Sequence, residues 1–267
     1  MKKYLLSAAT LCWLSLQTPV LFAASLDVAN EAFTAKDYSK VFQHAEPLAK
    51  QGNPEALYLL GQLYENGWGV NADLEKAKSY YQNATIQGHP QALTALRSLK
   101  NQEYLEELKQ VQPQAEAGDA KAQNRLGKMY EFGQGVERDP AKALHWYTQA
   151  ANQGYAEGLL NLGRCYNLAL GVGQNFAKAE EYYRQAAGKG LDEAMFWLGS
   201  LYFNKHGQDS SEDTDVIGYA WLKNAANKGH AIAIKMISRL ELKLDTDQLT
   251  RAQVLAEKLH TQLHPAQ

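Results

Sequence analysis

Residues 120–155 read AKAQNRLGKMYEFGQGVERDPAKALHWYTQAANQGY, and residues 156–191 read AEGLLNLGRCYNLALGVGQNFAKAEEYYRQAAGKGL. The two stretches agree at Leu, Gly, Tyr, Gly, Val, Lys-Ala, Tyr, Ala-Ala and Gly. Residues 54–89 keep the same set, with Leu60, Gly61, Tyr64, Gly67, Gly69, Val70, Lys76, Ala77, Tyr80, Tyr81, Ala84 and Gly88. Residues 192–230 keep it too, after three extra residues enter near Asp209 to Asp215. Leu-Gly pairs therefore recur at Leu60-Gly61, Leu126-Gly127, Leu162-Gly163 and Leu198-Gly199. A period of this length, without alternating apolar runs, reads as helical hairpins stacked into a solenoid.

Each recurring residue has a physical use. Ala122, Leu126 and Tyr130 fall at i, i+4 and i+8, one stripe of a helix that faces its neighbours. Gly127 beside that stripe permits close backbone approach, and Gly133 and Gly135 suit positive backbone dihedrals in a tight connection that Val136 can seal. Asp139-Pro140 reads as an N-cap followed by proline at the first helical position. Ala150-Ala151 and Gly154 supply small packing residues and a helix stop. The aromatic pairs Tyr80-Tyr81, Trp146-Tyr147 and Tyr182-Tyr183, with Trp221 in the equivalent place, recur at fixed phase and read as core filling between hairpins.

The array also has shorter members. Asp37-Tyr38, Pro47, Ala49 and Gly52 align with Glu103-Tyr104, Pro113, Ala115 and Gly118, which makes residues 26–53 and 90–119 short hairpins. In the second of these Arg97 replaces the expected glycine and the glycine-rich turn is missing, so it reads as a degenerate joint between two halves. Pro47 and Pro113 are expected to kink or shorten their helices. Ile237-Ser238 replaces Leu-Gly near the end, and residues 231–267 read as a C-terminal cap.

This pattern resembles the Sel-1-like repeat family, a relative of the tetratricopeptide repeats. The resemblance covers four units outright and, with the degenerate copies, nearly everything after residue 26. It implies an all-α, right-handed α-α solenoid that binds other proteins, since family members serve in envelope assembly, secretion, signalling and host-interaction complexes. Some exported members staple their repeats with cystines.

Residues 1–25 carry Lys2 and Lys3, an apolar run and Ala23-Ala24-Ser25, the layout of a secretory signal peptide cleaved near Ala23 to Ser25. A periplasmic or secreted protein follows, with no membrane insertion after cleavage. The whole chain holds 27 basic and 29 acidic residues, and loss of Lys2 and Lys3 leaves 25 basic ones. Near-neutral charge without basic clusters argues against nucleic acid as a partner. Loss of Cys12 leaves Cys165 alone, so no internal disulfide can form and stability must come from stacking; Cys165 itself reads as a buried small hydrophobe.

No catalytic constellation emerges, and the chain is expected not to be an enzyme. Gly67-Trp68-Gly69 and Gly171-Val172-Gly173 sit where the repeat needs a turn and lack the third glycine of a dinucleotide loop. Ser200 lacks the second flanking glycine of a nucleophile elbow. The histidines are scattered without zinc-ligand spacing, and the acidic run from Asp209 to Asp215 reads as a solvated insertion rather than a calcium loop. No metal and no cofactor are expected.

By similarity to tetratricopeptide arrays, a protein or peptide partner should lie in a concave groove lined by the first helices. The inner positions are Glu55, Tyr58 and Gln62; Lys121, Asn124 and Lys128; Glu157, Leu160, Arg164 and Asn167; and Glu193, Phe196 and Phe203. Lys121 and Lys128 make a basic middle, and Leu160, Phe196 and Phe203 an apolar end. Phe196 and Phe203 leave two readings open, groove anchors or core residues under the Asp209 to Asp215 insertion. The expected role is a non-catalytic scaffold or adaptor. The alternatives are an immunity protein that blocks a periplasm-targeted toxin and, less favoured, an enzyme acting on cell-wall material or β-lactams.

Overall fold

The computed structural model describes residues 25–263, and its regular structure there is entirely helical. The leader expected at residues 1–25 lies, but for Ser25, outside the described residues. Among the described residues no helix is long and apolar enough to cross a membrane. The chain divides after Leu99 into two compact units.

The first unit contains α1 (Leu26–Thr34), α2 (Tyr38–Lys50), α3 (Pro54–Asn66) and α4 (Leu74–Ile86), each packed against the next. Helix α5 (Pro90–Glu116) begins in it. The second unit continues with α6 (Ala120–Phe132), α7 (Pro140–Asn152), α8 (Ala156–Leu168), α9 (Phe176–Gly188), α10 (Asp192–Phe203), α11 (Thr214–Asn227), α12 (Ala231–Glu241) and α13 (Thr246–Leu263). From α6 to α12 each helix packs on its successor, and α13 returns to α11. The described residues thus hold thirteen helices, most of them paired in hairpins, and the fold is all-α.

Local chemistry sets the helix limits. Asp139 accepts hydrogen bonds from the Ala141 and Lys142 amides, and Pro140 takes the first helical position of α7. Asn53, Asp73, Asp119 and Asn175 cap α3, α4, α6 and α9 in the same way, each worth roughly 1 kcal/mol. Gly67 and Gly133 end α3 and α6 in the left-handed region. In the third full hairpin that place falls to Ala169, at φ +57°, so Ala169 and Gly171 form the turn rather than Gly171 and Gly173.

The Leu-Gly glycine has a specific neighbour. A β-carbon on Gly61, Gly127 or Gly163 would lie 2.4–2.7 Å from the ring of Tyr81, Tyr147 or Tyr183, and one on Gly199 would lie 2.5 Å from Leu222. These glycines thus close each hairpin on its own second helix, and the three tyrosines are fully buried. The other member of each aromatic pair is only half-buried, and Tyr80 and Tyr182 stack on Tyr64 and Tyr166.

One expectation is corrected. Residues 90–116 form one continuous helix, not a hairpin, and Arg97 stands exposed on it. Ala92, Leu96 and Leu99 join the core of the first unit, whereas Tyr104, Leu108, Val111 and Ala115 pack with Ala122, Leu126 and Met129 of the second. Neither Pro47 nor Pro113 ends its helix.

Candidate interaction face of the first helices

In the first unit α3 presents Glu55, Tyr58 and Gln62 beside the core stripe. His89 accepts the Ala92 amide on Nδ1 at 3.2 Å, so the proton sits on Nε2, which donates to Glu55 at 2.8 Å. The Tyr58 ring stacks on His89 at 4.3 Å, and Gln62 donates to the Tyr58 hydroxyl at 3.4 Å. Burial raises the Tyr58 pKa, with Glu65 and Glu55 adding to the shift. Glu65 also accepts the Tyr81 hydroxyl at 2.6 Å.

In the second unit the face is more tightly committed than its sequence suggests. Asn124 is buried and accepts from Asn161 at 2.8 Å. Arg164 donates to Asn161 at 2.9 Å and to Glu131 at 3.0 Å, and the Tyr147 hydroxyl donates to Glu131 at 2.5 Å. Glu131 is buried, and its two oxygens divide between Arg164 and Tyr147. A buried carboxylate is tolerable only with such partners. Burial and then Glu131 push the Tyr147 pKa upward. Cys165 is buried and free, and burial drives its thiol up to about 12, which leaves it inert at neutral pH.

The structure therefore separates the expected groove residues. Lys121 and Glu193 are exposed, and Glu55, Tyr58, Gln62, Lys128, Glu157, Arg164, Asn167 and Phe196 are half-buried. Asn124 and Leu160 are buried and present nothing to a partner, because neighbouring helices cover their side of the stripe. Leu160 consequently leaves the expected apolar end. Phe196 stacks on His230 at 4.4 Å and meets Trp197 edge-on at 5.8 Å. Phe203 is 38% exposed, with the Lys243 ammonium 5.6 Å from its ring.

The acidic insertion is not simply solvated. Asp215 is buried and binds Lys243 at 2.8 Å and Lys205 at 3.2 Å. Asp209 lies 3.6 Å from Arg184, and Glu212 pairs with Arg251 on α13. Glu180 accepts the Tyr202 hydroxyl, the Arg184 guanidinium at 2.7 Å and the Gln208 amide at 2.7 Å. The loop is a strap whose carboxylates are spent on cations of α9, α13, the α12–α13 connection and the turn itself. Glu131 and Glu180, which organise these networks, escape sequence reasoning because an isolated acidic residue on a helix carries no sign of burial.

A model described as the Sel1 repeat matches residues 54–89, 120–155, 156–191 and 192–230. Each matched stretch holds one hairpin, α3 with α4, α6 with α7, α8 with α9, and α10 with α11. An uncharacterised protein of Neisseria meningitidis serogroup B is 29% identical over 38% of this chain and 30% of its own length. Chitin synthase regulatory factor 3 of Schizosaccharomyces pombe is 32% identical over 43% of this chain and 13% of its own. The solved structure of c5321, a protective antigen present in uropathogenic Escherichia coli strains, is 27% identical with a TM-score of 0.53, covering 91% of this chain and 56% of that one. The chain thus spans less than two thirds of each of these relatives. With more than half of its residues inside matched repeats, the chain belongs to the Sel1 repeat family.

Proposed function

We propose that the protein is a non-catalytic scaffold, exported to a periplasm, that binds a protein or peptide along the exposed positions of its first helices. Repeats of this family typically mediate protein binding. The observation that carries the reading is the variation at one outward place of the first helices while the hairpin framework stays constant. Lys121 on α6 gives way to Glu157 on α8 and to Glu193 on α10, so one place of the repeat, exposed in α6 and α10 and half-buried in α8, changes charge along the face. An aromatic residue that stays 38% exposed at the end of this face is a fitting anchor for a partner.

Photo-crosslinking tests the face. A crosslinker at Lys121, Lys128 or Phe203 should capture one common protein from envelope extracts, and one at the exposed Gln149 or Gln185 of the second helices should not. Equal capture from both sets would overturn the assignment. Export is tested separately, by osmotic-shock fractionation and N-terminal sequencing, which should place the mature start near Ala24 or Ser25.

A further inference from the structure

Each matched hairpin closes its first helix on its second through the Leu-Gly glycine. That glycine and the residue one turn before it, such as Gln123 with Gly127 in α6 and Met195 with Gly199 in α10, are buried in all four hairpins. Gln123 also accepts from Gln153, just past the end of α7, at 2.8 Å. In α12 the same two places hold Ile234 and Ser238, and Leu242 follows one turn later on the same side. There the stripe lies open. Ile234 is 49% exposed and Leu242 90%, and Ser238 is exposed as well.

Among the described residues no helix covers this stripe. Helix α13, next in the chain, lies on α11 instead, where Asn224 donates to the Ala256 carbonyl at 2.9 Å and Arg251 pairs with Glu212. On one side the stripe borders the buried row Ala233, Ile237 and Leu240, so a helix seated on it would extend the core of the second unit without a break. On the other side stand Lys235 and Arg239, both exposed, each one residue beyond Ile234 and Ser238. Glu241, at the edge of the buried row, accepts the Tyr219 hydroxyl at 3.0 Å. The two cations therefore set the charge of the open flank. The closing place is also altered. Ser238 carries a β-carbon and a hydroxyl where three hairpins press a tyrosine ring on glycine, so a helix seated here needs a small residue opposite.

We propose that this stripe of α12 docks an acidic amphipathic helix of a partner protein, which takes the place of the returning helix. Continuity selects a helix, because the same face lies under a helix in every matched hairpin. Charge selects the acidic flank, because carboxylates on the open side of that helix would meet Lys235 and Arg239. The site is separate from the outward place of Lys121, Glu157 and Glu193, whose counterpart in α12 is Ile232. It does not depend on binding there.

The test is a fluorescence-anisotropy titration of the full mature chain with a peptide patterned on α9. The probe has the sequence of residues 176–188 with Tyr183→Ala, which supplies the small residue, and Arg184→Glu, which leaves carboxylates at positions 180, 181 and 184 along one flank. A staple on its outer side holds it helical, and its counterpart carries lysine at those three positions. The acidic peptide should bind saturably and the lysine peptide at least about tenfold more weakly. Ile234→Glu with Leu242→Glu should weaken the acidic peptide by at least about tenfold with the melting temperature unchanged, since both residues are well exposed. If that variant does not fold, Lys235→Glu with Arg239→Glu should reverse the preference between the peptides. Equal binding of the two peptides, no saturable binding of the acidic one, or unchanged binding in the variant that folds would overturn the proposal. Sedimentation reads a second copy as the occupant: a concentration-dependent dimer abolished by Ile234→Glu, with no peptide bound, assigns the stripe to self-association and sinks the partner helix. Maleimide labelling of Ile234→Cys in the free chain should be fast, Cys165 being buried. Slow labelling that speeds up on removal of residues 264–267 would show that the chain covers its own stripe, and would overturn the proposal too.

Discussion

The hairpin at residues 120–155 and the segment at 90–119 start alike, each from a helix that opens after a turn glycine, and end differently. In the hairpin the chain leaves α6 through Gly133 and Gly135 at φ +68° and +70°, and Gly127 lets Tyr147 of the returning helix close onto α6. In the segment Arg97 and the absence of turn glycines remove both devices, and the chain stays helical from Pro90 to Glu116. Continuing a helix adds one backbone hydrogen bond per residue, whereas reversal needs positive dihedrals that side chains resist. A hairpin is thus an interruption that must be written into the sequence, and where the writing lapses the helix wins.

The largest expected effect strikes the closing glycine. Gly163→Leu forces a side chain into the Tyr183 ring, which has no room to retreat, and should destabilise the protein by roughly 2–4 kcal/mol. Thermal melts read it, and an unchanged melt would break the comparison at its root. Next is the middle of α5, where Leu99 is the single buried residue between Arg97 and Glu103. Hydrogen exchange there should be about tenfold faster or more than in α8 and α9, because local opening follows sparse burial. Slower exchange in α5 would mean that its continuity outweighs its poor packing.

The hairpin at 192–230 departs the other way, by adding turn residues, and its strap should make it acid-sensitive. Asp209, Glu212 and Asp215 all titrate below their ordinary values of 3.8, 4.5 and 3.8, Asp209 through bonds from Ser211, Glu212 through the Asp213 amide and Arg251, and Asp215 through Lys243 and Lys205 acting against burial. A depressed folded pKa contributes stability above the unfolded value and loses it as pH falls through the folded one. Release of α13 should therefore begin below about pH 4 and be smaller in Glu212→Gln, as followed by hydrogen exchange in α13. Equal acid sensitivity in the variant would show that the strap does not hold α13.

Smaller still is Ala169→Gly. It removes a left-handed alanine from one of the two full hairpins without a glycine at that place, Lys205 holding it at φ +64° in the other, and the melt should rise by about 0.5–1 kcal/mol equivalent. The smallest effect is that of Phe203→Ala, which should change stability by less than about 0.5 kcal/mol because the ring is substantially exposed. Paired with Phe196→Ala it separates the two roles left open for these residues. Capture lost in Phe203→Ala with the melt unchanged assigns Phe203 to the face, and a large fall in Phe196→Ala assigns Phe196 to the core around His230.

Much of the hairpin framework was legible. Asp139-Pro140, the turn glycines and Ala150-Ala151 with Gly154 act where they stand, through bonds and dihedrals that involve only nearby residues. The face was legible in part. Lys121, Glu193 and Phe203 are exposed as the helix period requires, but Asn124 and Leu160 lie on the border of the stripe, where a rotation of a few tens of degrees decides between water and core. Arg164 was counted as free, because nothing near it in the chain announces that Glu131, a full turn and a helix away, waits for it.

By itself, the sequence determined the repeat period, the hairpin limits, the caps and the family, because each of these is a local rule repeated until chance is excluded. Only the tertiary structure decided that 90–116 does not turn back, that Glu131 and Glu180 are buried hubs, and that the acidic insertion is tied down. These outcomes depend on which side chains arrive from the helices on either side. Burial, pairing and the space left by a shorter residue belong to contacts between repeats, and a one-dimensional pattern records the repeats without recording what lies between them.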